Sequence, residues 1–257
     1  MTDLAKSNID FNETFLHLSK APITEAIIEF RGRASLPWEE KDILTKLQNE
    51  LPDYPQHQSG RAQQFRVIPQ NEQKVEIQDI GWLGLKFTSN DKKSIATFNI
   101  DSFSSSRLEP YQNWDSFINV TKRLWNLHLK FANPPEIQRM GVRFINRFSL
   151  TSTHTQLDQY FNGSCNLVPG LNLGINGFLH HDVYSYLGLP YLVNVIRTIQ
   201  PSGSQLESNL ILDIDVFTQN PFSPTNESIE QKLFQIHWLK NKIFFSIITQ
   251  RLADQLK

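Results

Sequence analysis

Two stretches alternate apolar and charged residues so regularly that they demand strands with one buried face. In "APITEAIIEFRGR", Thr24, Ala26, Ile28 and Phe30 share one side, while Glu25, Ile27, Glu29 and Arg31 share the other. In "IQRMGVRFINRF", Met140, Val142, Phe144 and Phe148 share one side, and Arg139, Gly141, Arg143, Ile145 and Arg147 the other. Because the side-chain period is two, a slip of one residue would turn each charged row into the core, which pins the register. One row is acidic and the other basic. A chain built on such strands must set the charged face against water or against charges of opposite sign.

The rest of the chain supplies the layer that covers the apolar face. After a polar lead-in over residues 1–20, the first half (21–133) is predicted as strand, helix, several short strands and a long helix. The first helix is opened by Pro37 in "LPWEEKDILTKLQNEL", and "PDYPQHQSGR" after it has the composition of a loop. Next come "QQFRVIP", "KVEIQDI", "LGLKFTS" and "SIATFNIDSF", short alternating runs with the pattern of an antiparallel meander. In "EPYQNWDSFINVTKRLWNLHLKFA", Trp114, Phe117, Ile118, Thr121, Leu124, Trp125, His128 and Leu129 fall at steps of three and four, one buried helical stripe. "NPP" at Asn133 to Pro135 ends that helix.

The second half (134–257) repeats the order. "IQRMGVRFINRFSL" is a strand, "THTQLDQYF" a short helix, and "HHDVYSYLG", "PYLVNVIRTIQ" and "NLILDIDVF" are strands. The last segment, "SIEQKLFQIHWLKNKIFFSIITQRLADQL", is a long helix whose apolar residues cover more than one side. Its surplus apolar surface needs cover, either from the other half or from a partner chain. The expected fold is thus α+β, two β-α-β(3–4)-α halves in the element order of a tandem repeat. If their sheets join, one long antiparallel sheet carries helices on one face, a layout similar to the TATA-binding-protein fold in element order alone.

Composition excludes several function classes. With 25 Lys+Arg against 26 Asp+Glu, the formal net charge of -1 provides no global field for nucleic acid or an anionic membrane. A single cysteine, Cys165, excludes an internal disulfide and a multi-cysteine zinc site, and fits a reducing compartment. The opening "MTDLAKSNIDFNETF" holds no apolar run suited to a signal peptide, and no segment approaches the ~18 apolar residues of a membrane span. The expectation is a soluble, cytoplasmic protein.

No catalytic or metal motif stands out. The glycines of "NLVPGLNLGINGFLH" match neither a dinucleotide fingerprint nor a P-loop, and the chain has no G-x-S-x-G or H-E-x-x-H. His180 and His181 are adjacent on a predicted strand, so they face opposite ways and cannot jointly chelate. His128 and His237 sit within apolar helices and read as hydrogen-bonded core or boundary histidines. Cys165 reads as a plain loop thiol. Neither a metal nor a cofactor is expected, and enzymatic activity has no support.

The charged rows are the candidate site. Asp213 and Asp215 in "LDIDVF" lie about 6.6 Å apart on one strand face and join Glu25 and Glu29 as acidic partners. Arg139, Arg143 and Arg147 then have two possible roles. They could bind an anion on the open sheet face, or they could neutralise Glu25, Glu29, Asp213 and Asp215 across a pseudo-twofold axis. Charge balance favours the second, since three arginines meet four carboxylates.

"KAPITEAIIEFR", "GLKFTSNDKKSIATFNIDSFSSSRLEPYQNWDSF", "IQRMGVRFINRF", "ILDIDVF" and "HWLKNKIFFSIIT" together resemble a sporadically distributed bacterial family of about this length, over nearly the whole chain. The resemblance implies a bacterial, cytoplasmic product of an accessory locus, of phage-defence or toxin–antitoxin type, and brings no catalytic residues with it. The function expected is a non-enzymatic interaction module with a protein partner or a second copy of itself. The alternatives are nucleic-acid binding through the sheet face, disfavoured by net charge, and a small-anion or nucleotide sensor built on the same arginines.

Overall fold

The alternating stretches form nine strands: β1 (Ile23–Arg31), β2 (Gln56–Ile68), β3 (Lys74–Thr88), β4 (Ser94–Asn99), β5 (Ser102–Leu108), β6 (Arg139–Leu150), β7 (Leu179–Ser185), β8 (Leu192–Pro201) and β9 (Ser208–Thr218). The helices are α1 (Glu40–Glu50), α2 (Trp114–Ala132), α3 (Asn226–Ile247) and α4 (Gln250–Gln255). The strands make one antiparallel sheet in the order β2-β3-β4-β5-β1-β6-β9-β8-β7. The computed structural model describes residues 9–68, 74–150, 157–163, 177–201 and 208–257. Cys165 and most of "NLVPGLNLGINGFLH" lie outside them.

Several boundaries differ from the sequence expectation, each for a local reason. β2 begins inside "PDYPQHQSGR", because pairing with β3 overrides the loop composition. "KVEIQDI" and "LGLKFTS" are one strand: Gly81 takes φ 128°, a value open to glycine, beside the register shifts where β2 meets β3. "SIATFNIDSF" is instead two strands, a tight hairpin that pairs Phe98 with Phe103. Of the short helix expected in "THTQLDQYF", the described residues form a single 3-10 turn, Leu157–Gln159. The terminal helix breaks at Ile248, which is extended, and restarts where the Thr249 hydroxyl accepts from the Leu252 N–H. The break is stitched to the 3-10 turn: Ile248 bridges Phe161, the Thr249 N–H donates to the Tyr160 carbonyl, and the Thr249 hydroxyl donates to that of Gln159.

The chain divides into two compact units. One comprises Ile28–Arg107 and Gln112–Gln138. Its core sets Ile28, Phe30, Leu85, Phe87, Phe98 and Phe103 from the strands with Ile43 and Leu47 of α1 and Leu124 and Trp125 of α2. Phe30 stacks on Trp125 at 4.3 Å between ring centroids. Capping fixes α2 at both ends: the Asn113 side chain accepts from the Ser116 N–H, and Asn133 takes the left-handed conformation before the two prolines.

The other unit comprises Met1–Ile27, Leu108–Tyr111 and Arg139–Lys257. Its core packs Met140, Val142 and Phe144 of β6 and Leu210, Leu212, Ile214 and Val216 of β9 against α3, which buries Ile229, Leu233, Ile236 and Leu239. The broad apolar surface of α3 is partly covered by the lead-in segment, with Phe234 still exposed. Phe11 lies 5.7 Å from Phe234 and 5.1 Å from Trp238, and Phe15 stacks on Phe245 at 5.7 Å. Lys242 pairs with Glu13 at 2.7 Å, the Lys20 N–H donates to the Leu256 carbonyl, and the Ser19 hydroxyl bonds the Lys257 carbonyl. A segment that looked like a polar leader is a strap across the C-terminal helices.

Paired Phe11→Ala and Phe15→Ala substitutions should therefore lower unfolding stability by about 1–3 kcal/mol, given the half-buried rings they remove. Denaturant titration followed by tryptophan fluorescence reads the loss. An unchanged midpoint would show that the strap is not docked in solution.

Candidate functional site

The arginine row lies on the face of β6 opposite its core residues, and β9 meets it in antiparallel register. Gly141 pairs with Phe217, Arg143 with Asp215, Ile145 with Asp213 and Arg147 with Ile211. Arg143 reaches diagonally to Asp213, its Nε 2.9 and 3.1 Å from the two carboxylate oxygens and its Nη2 2.5 Å from Oδ2. This is the two-pronged fork that guanidinium and carboxylate geometry favour. Asp213 is buried, its side chain 9% exposed, whereas Arg143 is 44% exposed. The hydrogen bonds that Arg143 donates to Asp213, then the charges of Asp213, Asp215 and Glu25, hold the Arg143 pKa above its ordinary value against the opposing effect of burial.

Arg139 folds across Gly141. Its Nη2 bonds Asp215 at 2.8 Å, and its guanidinium carbon lies 4.4 Å from the centre of the Phe217 ring. A Cβ at position 141 would stand 2.9 Å from Arg139 Nη1, 3.1 Å from Phe217 Cβ and 3.2 Å from Asp215 Oδ1. The glycine in "MGVRF" is thus a channel for the neighbouring arginine.

Arg147 takes a partner outside the expected scheme. Arg147 bonds both carboxylate oxygens of Glu109 at 2.9 Å, an exposed pair. Glu109 had no place in the sequence argument. Backbone bonds put it there: the Glu109 N–H donates to the Thr24 carbonyl and the Arg147 N–H to that of Pro22, so both residues dock on the start of β1. Glu29 pairs with Arg31 of its own strand at 3.1 Å, and Glu25 contributes charge near Arg143. Acid meets base here through β9 and Glu109, and Glu25 of β1, the strand beside β6 in the sheet, adds its charge near Arg143.

Of three basic groups held away from water, Lys240 escaped the sequence argument, whereas His237, 3.3 Å from Asn241 Nδ2, is hydrogen-bonded as expected. Lys240 interrupts the apolar face of α3 at the spacing of Leu233, Ile236 and Phe244, a signal visible in "HWLKNKIFF". Its ammonium nitrogen lies 3.9 Å from the centre of the Phe144 ring and 2.5 Å from Asn241 Oδ1, and burial pushes its pKa down to about 7. One turn earlier, burial and then the Lys240 charge push His237 down to about 3.

His128 in the other unit is also pushed down to about 3 by burial. It is a core residue as expected, but neither ring nitrogen has a hydrogen-bond partner. It is packed as an aromatic, 5.4 Å from Trp38 and Trp125 and 5.6 Å from Phe103.

The other candidates stay apart. His180 faces Arg197 and His181 faces Ile196 in the β7–β8 ladder, on opposite sides of the sheet. Among the described residues no group of three His, Cys, Asp or Glu could hold a metal ion, and no helix is long and apolar enough to cross a membrane.

Two outcomes are expected. Arg143→Ala leaves the buried Asp213 carboxylate uncompensated and should cost about 1–3 kcal/mol, a range reduced for the solvent that screens the half-exposed guanidinium. Arg147→Ala, at an exposed pair, should cost less than about 1 kcal/mol. Equal losses in chemical denaturation would contradict this ordering.

The second outcome concerns acid. His128 and His237 are neutral in the fold, so below about pH 6.5 the unfolded chain binds protons the folded chain refuses, and stability should fall from there towards about pH 3. Lys240 acts alike at higher pH, its contribution falling between pH 10.5 and about 7. His128→Phe should raise stability at neutral pH by about 1 kcal/mol and flatten the acid limb of a Tm–pH profile. An unaltered limb would mean that His128 keeps its ordinary pKa.

The sequence matches no protein-family model and no curated protein.

Proposed function

We propose that this chain is a non-catalytic protein-interaction module that pairs through the edge of β7, the last strand of the sheet among the described residues. The observation that carries this reading is the exposure of apolar side chains on that edge and its hairpin: Leu179 and Leu187 are 70% exposed, Val183 63% and Tyr184 51%. Edge strands are normally protected by lysine, proline or a bulge. β7, "LHHDVYS", has no lysine or proline, and its ladder with β8 runs without a register shift from Leu179 to Ser185. Its one acid, Asp182, is tied to Arg197 at 2.8 Å. Such an edge offers main-chain hydrogen bonds for affinity and alternate side chains for specificity, the requirements of strand addition.

The paired arginines argue against the other two functions. Nucleic acid or a small anion would have to displace Asp213, Asp215 or Glu109 to reach the guanidinium groups, and affinity for a phosphate backbone comes from cations free to neutralise it. A setting in a bacterial accessory locus rests on the family resemblance alone.

The test is size-exclusion chromatography with light scattering, on the chain alone and co-expressed with products of adjacent genes. A mass above that of the monomer that reverts in Val183→Lys is expected. Labelled DNA or RNA should give no salt-dependent anisotropy signal. A monomer under every condition, or oligonucleotide binding with a steep negative salt slope, would replace the proposal with another.

A further inference from the structure

We infer that the partner strand at the β7 edge is β7 of a second copy, antiparallel about a twofold axis through His181. This deepens the interaction reading above and rests on it. A twofold axis that extends a sheet edge to edge stands perpendicular to the sheet. It therefore pairs residues of the outer row (Leu179, His181, Val183, Ser185) with one another, and likewise the inner row (His180, Asp182, Tyr184).

Few registers satisfy that condition, and side-chain chemistry chooses among the three best-overlapped ones, with the axis at Asp182, His181 or Val183; the last leaves Leu179 and His180 without a strand partner and sets His181 against Ser185. With the axis at Asp182, the carboxylate meets its own copy, and Leu179 meets Ser185. With the axis at His181, Leu179 meets Val183 twice, and His180 stands opposite the Asp182 carboxylate twice. The second arrangement pairs the two most exposed apolar residues of the strand with each other. It also sets acid beside imidazole where the first sets acid beside acid. Directly opposed apolar pairs stabilise an antiparallel ladder, an imidazole N–H can donate to a facing carboxylate, and like charges weaken the ladder.

The edge geometry suits this occupant. β7 is continuous through Ser185, and the hairpin after it is closed by the Tyr186 N–H to the Tyr191 carbonyl, with Gly188 at φ 103°. Asp182 is held by Arg197, whose side chain is nearly buried, so its carboxylate is fixed in place before any partner arrives. The isologous contact closes on itself, yielding a dimer rather than a filament.

Sedimentation velocity of the purified full chain, across a concentration series, should show a monomer–dimer equilibrium. Val183→Lys removes both Leu179–Val183 pairs and should weaken dimerisation by about tenfold or more, with the circular dichroism spectrum unchanged. Register is read separately by oxidative crosslinking in a Cys165→Ser background. His181→Cys should yield a disulfide-linked dimer, and Asp182→Cys should not.

A dimer that crosslinks through position 182 in place of 181 overturns the register. A wild-type chain that stays monomeric alone, yet forms a Val183→Lys-sensitive complex with an adjacent gene product, overturns self-pairing and leaves the interaction reading standing. A dimer indifferent to Val183→Lys overturns both.

Discussion

Pairing between Arg143 and Asp213 determines how much charge the open face of β6 and β9 has to offer. The carboxylate is buried and the guanidinium forks onto both its oxygens, so each is the other's principal partner. Arg139 repeats the arrangement with Asp215 over Phe217, and Arg147 with Glu109. Charged groups withdrawn from water need such partners, and breaking one pair leaves the other member stranded. The row of arginines is thus largely occupied from within.

The apolar side of the same strands shows the complementary constraint. α3 needs cover on more than one side, and the lead-in segment provides part of it through Phe11 and Phe15. The most exposed of the remaining large apolar side chains, Leu179, Leu187 and Val183, lie on β7 and its hairpin, where the one acid, Asp182, is tied to Arg197. Surface that is neither covered nor blunted is where an association would gain most, since burying it adds favourable free energy without breaking an existing contact.

The buried cations and imidazoles belong to a different balance. Lys240, His237 and His128 are basic groups in apolar surroundings, and the common cause of their depressed pKa values is desolvation. His128 sits in a ring of aromatic side chains with no partner for either nitrogen, which ties the fold to the neutral form of that residue.

Element order, the α+β class, the two faces of β1 and β6, and the stripe of α2 were legible in the sequence, because each follows from a period of two or of 3.6 over a short stretch. Tertiary structure alone decided the rest. Which carboxylate meets which arginine depends on the diagonal across β9 and on Glu109 docking beside Thr24, contacts between residues far apart in the chain that no local period encodes. The strap formed by Phe11 and Phe15, the single β3 across Gly81 and the break at Ile248 were likewise set by long-range pairing. Local sequence specifies what a segment can bury; only the assembled sheet specifies against what.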